Sequence, residues 1–100
     1  MKTSELTDNA LDWAVAKCEG IYFEDLEDFE HSAPDYSDWA QGGPIIEREG
    51  LTLTHQADRW VAQTDADLFA YGPTPLIAAM RCYVASKLGD NIDIPEELIV

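Results

Sequence analysis

Residues 72–89, GPTPLIAAMRCYVASKLG, carry a helix start signal, an apolar face and a stop signal in unbroken succession. Thr74 is placed to accept a hydrogen bond from a free backbone N–H of the first turn, and Pro75 stands where a missing N–H costs nothing. Gly89 supplies a cap that tolerates positive φ. Ile77, Met80, Val84 and Leu88 recur at steps of three and four, and Leu76, Ala79 and Tyr83 widen the stripe. Such a helix is covered on more than one side, so the rest of the chain is expected to pack around it.

One hundred residues are read as a single domain, 1–100, able to bury somewhat more than about 60% of its unfolded surface without a staple. The hydrophobic share of 46% is that of a globular chain, whereas the formal charge of −14 is extreme. That field repels phosphate backbones and anionic membranes and attracts basic proteins, which argues against direct nucleic-acid binding but leaves mimicry of nucleic acid open. Cys18 and Cys82 lie far apart, without a CxxC or matching histidine spacing, so neither zinc nor another metal is expected, and the sequence does not say whether they meet. The first twenty residues are amphipathic and carry acids, unlike a signal peptide, and no apolar run is long enough for a membrane span. A cytoplasmic protein is expected.

Taken in order, residues 6–19 predict a first helix, with Thr7 as N-cap, Leu6 stapled onto Leu11, and Leu11, Ala14, Val15 and Cys18 facing the core. Trp13 lies off that stripe and needs a second surface. Residues 21–23 are read as an edge strand, and residues 24–38, with seven acids and no lysine or arginine, as a solvated loop with aromatic anchors. Ser37 is expected to cap a single turn that the Gly42-Gly43 pair breaks, after which Pro44 opens a second short helix closed by Gly50. LTLTHQ and RWVAQT, joined at Ala57-Asp58, read as a hairpin, and residues 68–71 as a third strand feeding the main helix. The tail ends in Leu98, Ile99 and Val100, an apolar triplet that suggests docking onto the chain's own core or a neighbouring subunit. The expected fold is α+β: a small antiparallel sheet of about three strands packed with an N-terminal helix and a longer C-terminal helix, in two or three layers.

Neither His31 nor His55 has an obvious serine or cysteine partner, and no phosphate loop, dinucleotide fingerprint or hydrolase elbow is present, so catalysis is the weakest class and no cofactor is expected. Ligand binding is better supported. Thr74 and Gly72 offer a helix start and a close backbone approach, and Gly42 and Gly43 a second such approach. Tyr36, Trp39, Trp60 and Tyr71 provide flat surfaces, and Arg48, Arg59 and Arg81 are rare cations in a chain with six. A separate reading rests on Glu24, Asp25, Glu27, Asp28, Glu30 and Asp35, whose carboxylates with aromatics between them suit a basic cleft on another protein.

Three phrases, ALDWAVAKCEG at residues 10–20, YSDWAQGGPIIEREG at 36–50 and GPTPLIAAMRCYVASKLGD at 72–90, resemble the NinX-like family of small tailed-phage and prophage proteins. The order of elements is similar to phage ABA-sandwich domains. The resemblance implies helix-sheet-helix layering and a phage accessory gene, and it brings no catalytic residues with it. The functional expectation is a non-enzymatic binder that interferes with a host process, capturing a small nucleotide-like ligand between the glycine turns and the cap of the main helix. The alternative is an acidic protein-interaction inhibitor, or nucleic-acid mimic, that blocks a nucleic-acid-binding host protein. Exposed aromatics and the apolar tail make a homo-oligomer a further candidate.

Overall fold

The computed structural model describes residues 1–99, so Val100 of the apolar tail lies outside the described residues. Four α-helices, α1 (Asp8–Cys18), α2 (Leu26–Ser32), α3 (Trp39–Glu49) and α4 (Pro75–Leu88), accompany three strands, β1 (Thr52–Gln56), β2 (Arg59–Gln63) and β3 (Phe69–Gly72). The fold is α+β, with the strands in a single antiparallel sheet of order β1-β2-β3. Single 3-10 turns at Thr3–Glu5 and Glu96–Leu98 complete the elements. No described helix is long and apolar enough to cross a membrane.

The main helix forms where its signals place it. The Thr74 hydroxyl accepts from the Ile77 N–H at 3.1 Å, Pro75 opens the first turn, and Gly89 ends the helix at φ +85°. Leu76, Ala78, Ala79, Met80, Cys82, Tyr83 and Val84 are all buried, on every side of the helix. The sheet covers one side of α4, while α1 and α3 cover others. The layers therefore run sheet, then α4, then α1 and α3. This corrects the expected helix-sheet-helix layering, because among the described residues α1 and α3 pack on α4 and no helix packs substantially on the far side of the sheet.

Register assigns the two faces of that sheet. Leu53, Trp60, Ala62 and Ala70 alternate toward the core, and a Cβ on Gly72 would stand 2.5 Å from the Ala78 nitrogen of α4. The opposite face carries Thr52, Thr54 and Gln56 from β1, Arg59, Val61 and Gln63 from β2, and Phe69 and Tyr71 from β3. His55, paired with Trp60 near the end of β1, is exposed and stacks on the Trp60 ring with centroids 4.7 Å apart.

Three local readings are corrected. Residues 21–23 form no strand; Phe23 instead packs with Trp13 and Phe29, ring centroids 5.2 to 6.1 Å apart, and this is the second surface that Trp13 needs. The acidic segment is not a loop throughout. Asp25 accepts the Asp28 N–H at 2.8 Å and caps α2, where Glu27 and Asp28 stand at the positive end of the helix dipole. The Gly42-Gly43 pair does not break a helix either: α3 runs through it, capped by Asp38 rather than Ser37, with Asp38 accepting from the Ala40 N–H at 3.0 Å. Gly43 lacks the Cβ that would push a residue before proline out of the helical region, so the helix continues into Pro44. Gly50 closes α3 at φ +64°. At α1, Thr7 occupies the cap position with no side-chain cap bond, and the helix starts at Asp8 rather than at Leu6.

Candidate ligand-binding site

Arg81, on the second turn of α4, is a half-buried cation with no acid beside it. Its Nε donates to the Leu6 carbonyl at 2.8 Å and its Nη1 to the Tyr71 carbonyl at 2.9 Å, so the guanidinium ties the N-terminal turn to β3. Burial alone acts on it, lowering its pKa, and among the described residues it forms no ion pair despite twenty acids in the chain.

Arg81 lies in a cleft of about 960 Å3 that follows the outer edge of β3. Arg59, Phe69, Tyr71 and Gly72 form the sheet side. Lys2, Thr3, Ser4, Asp90 and Asn91 form the opposite wall, built from the two ends of the chain. Those ends are fastened together: Thr3 N–H donates to the Asp90 carbonyl at 2.8 Å, Ile92 N–H to the Met1 carbonyl at 2.9 Å, and the Thr3 hydroxyl to the Gly89 carbonyl at 2.6 Å. The Arg59 guanidinium lies over the Tyr71 ring, 3.9 Å from its centroid. Phe69 and Tyr71 are 52% and 45% exposed, unusual for rings of this size.

The electrostatics of the cleft run against those of the chain. Of six lysines and arginines, Arg48 and Lys87 are paired with Glu19 and Glu49, Lys17 stands unpaired on α1 away from the cleft, and Lys2, Arg59 and Arg81 line the cleft with no ion-pair partner among the described residues. Asp58 and Asp90 are the acids of the lining. An unpaired positive group at low exposure, flanked by flat rings, is suited to a small aromatic anion.

The residues singled out from sequence are only partly brought together. Gly72 and Arg81 line the cleft. Gly72 is a glycine because α4 packs directly on it. Thr74 is occupied as the cap of α4, and Trp60 stacks on His55. Tyr36 is buried, and its N–H donates to the Asp12 carboxylate at 3.0 Å. Gly42 is enclosed by Leu76 and the Tyr36 carbonyl, Gly43 lies near the Trp39 ring, and Trp39 is 55% exposed, all away from the cleft. Arg48 is held by Glu19, Glu49 and the Tyr83 hydroxyl. Arg59 and Tyr71, noted from sequence as a scarce cation and a flat surface, also line the cleft, whereas Lys2 and Phe69 are not among those candidates, since only the pairing of strands and chain ends brings them there.

In the acidic set, several carboxylates are engaged locally. Asp25 caps α2, Asp28 accepts from the Glu24 N–H and the Ser32 hydroxyl, and Asp35 accepts from both the N–H and the hydroxyl of Ser37. Glu24, Glu27 and Glu30 remain exposed without such bonds.

Residues 2–87 match the family described as Bacteriophage P22, NinX. The chain belongs to that family. The match runs from the N-terminal segment that walls the cleft to the last turn of α4, and so includes Lys2, Arg59, Tyr71 and Arg81. This membership makes the chain a phage accessory protein. A comparison with curated proteins finds no match.

Proposed function

We propose that this NinX-family protein is a non-enzymatic binder that captures a small nucleotide-like anion in the cleft along β3, and thereby withholds it from a process in the host cytoplasm. One observation carries the reading: in a chain of charge −14, three of the four cations without ion-pair partners among the described residues line one cleft, beside two exposed aromatic rings. Keeping a half-buried guanidinium away from every carboxylate leaves its charge available to an incoming anion. Tyr71 and Phe69 offer faces for a planar ring, and Arg59, already stacked on Tyr71, can extend that stack. Neither a histidine nor a cysteine is among the cleft residues, which favours capture over chemistry.

Calorimetric titration tests this with AMP as probe, and with adenosine and inorganic phosphate as its separated halves. The expected result is binding of AMP that exceeds either half, weakened about tenfold by Lys2→Ala and by Arg59→Ala, as loss of one charge-assisted hydrogen bond implies. Absence of binding at about millimolar AMP, together with no retained small-molecule mass in protein isolated from infected cells, would overturn it. Combined Glu24→Gln, Glu27→Gln and Glu30→Gln exchange is expected to leave AMP binding unchanged. If that exchange instead abolishes host interference while AMP binding is absent, the acidic surface of α2 is the functional one.

A further inference from the structure

We propose that two copies of this chain associate face to face through the open side of the sheet. Among the described residues α4 is the helix that packs substantially on the sheet, and α1 and α3 lie against α4, so no helix packs substantially on the outer faces of β1, β2 and β3. At the centre stands Val61, buried yet not part of the core cluster behind the sheet. Phe69 and Tyr71 flank it with much of their rings in solvent, and Thr52 and Thr54 complete the patch with uncharged side chains. Aromatic and β-branched residues with few charges are the composition of an interface centre.

The charge pattern selects the occupant. A quarter of the residues are charged, with acids outnumbering bases by twenty to six, yet this face carries a single charged side chain, Arg59, and it is positive. Two copies meeting through α2 would set Glu24, Glu27 and Glu30 against their own kind. Meeting through the sheet, they avoid that repulsion. A basic partner would gain more from the acidic side of α2, and a nucleic acid is repelled by the net charge. A two-fold arrangement with the β2 strands antiparallel directs Arg59 of one copy toward Asp65 and Asp67 of the other, because those acids follow the opposite end of β2. Three strands of four or five residues make a small interface, so association is expected at about ten to a hundred micromolar. Arg59, Phe69 and Tyr71 also border the cleft, so this contact and ligand capture compete for the same side chains.

Sedimentation velocity over a concentration series, at about 50 mM and about 500 mM NaCl, tests it. The expected result is a monomer–dimer equilibrium that tightens with salt, because screening relieves the repulsion between two chains of charge −14 by more than it weakens the few contacts of Arg59 with Asp65 and Asp67. Thr54→Arg, on the exposed middle of β1 and outside the cleft, places two like charges across the two-fold and is expected to weaken the dimer at least about tenfold with the circular dichroism spectrum unchanged. Phe69→Ser, exposed on β3, is expected to act in the same direction. Three outcomes overturn the proposal: a monomer at about 500 μM in both salts, a dimer indifferent to both substitutions, or a dimer that salt dissociates, which would mark an ion-paired interface elsewhere.

Discussion

The guanidinium of Arg48 grips both carboxylate oxygens of Glu19, Nη1 to Oε1 at 3.1 Å and Nη2 to Oε2 at 2.8 Å. The Tyr83 hydroxyl donates to the same Oε2 at 2.5 Å, while Glu49 accepts from Arg48 Nε at 2.9 Å. One fork therefore joins the residue after α1 to the ends of α3 and to α4. Arg48→Ala is expected to lower stability by about 1 kcal/mol, as for a partly exposed pair within a network, or about 4–8 °C in Tm. Arg48→Lys is expected to recover only part of this, since an ammonium cannot form the two parallel bonds. Arg48 also holds the Glu19 carboxyl below its ordinary value of 4.5. A lowered folded-state pKa contributes stability above the unfolded value and loses it as pH falls through the folded one. Thermal melts should therefore show the full Arg48→Ala deficit at pH 7 and a shrinking one below about pH 4.

Asp12 carries the opposite sign. Burial, reinforced by Asp35 and Asp8, pushes its carboxyl up to about 6 from 3.8, against the lowering effect of the Tyr36 N–H bond. Its contribution to stability is therefore fully present below pH 3.8 and lost as pH rises through about 6. Asp12→Asn keeps an acceptor for the Tyr36 N–H but cannot ionise. The variant is expected to match the parent near pH 4 and to melt several degrees higher at pH 7.5, which a pH series of melting curves checks. A variant that melts lower throughout would show that the carboxylate form is needed at Tyr36.

Gly42 and Gly43 stand side by side in α3 and should respond differently to alanine. Helix propensity alone predicts a gain of about 1 kcal/mol at either. At Gly42 a Cβ would meet Leu76 Cδ2 at 2.6 Å and the Tyr36 carbonyl at 2.7 Å, so Gly42→Ala is expected to destabilise by about 1–3 kcal/mol in denaturant titrations. At Gly43 the nearest atom is 3.8 Å away, in the Trp39 ring. There the propensity gain is offset by the crowding that any Cβ meets before Pro44, and Gly43→Ala is expected to be near neutral.

These glycines also explain where the sequence misleads. For α4, cap, apolar face and stop are all local, so its bounds can be read directly. Gly42-Gly43-Pro44 reads locally as a helix breaker, but the close approach of Leu76 that fixes Gly42 comes from thirty-odd residues away and leaves no local mark. The acids of α2 read as solvated loop because their density outweighs a short apolar pattern. Yet Asp25 is the cap, Glu27 and Asp28 favour the helix start, and Phe29 buries itself against Trp13 and Phe23. Arg81 is visible as a scarce cation, but its lack of an acid partner is a property of three dimensions. Lys2 reaches the same cleft only because the chain ends bond to each other.

Cys18 and Cys82 are both free, and burial pushes both thiols up to about 11. At pH 8 only about one part in a thousand of such a thiol is thiolate, the form that attacks a disulfide reagent. Cys82 is fully buried on α4, its thiol 3.5 Å from the Leu68 carbonyl, and can react only when the helix is exposed by unfolding. Cys18, partly exposed at the end of α1, needs only local fraying. An aromatic disulfide reagent should therefore label Cys18 first and slowly, Cys82 much later, and both at once in denaturant. Because Cys82 labelling follows global opening, Arg48→Ala should accelerate it about fivefold, the factor that about 1 kcal/mol implies. Rapid labelling of Cys82 in the native protein would show that α4 opens separately from the rest of the core, whereas equal acceleration at both sites by every destabilising variant would show that Cys18 too reacts only through global opening.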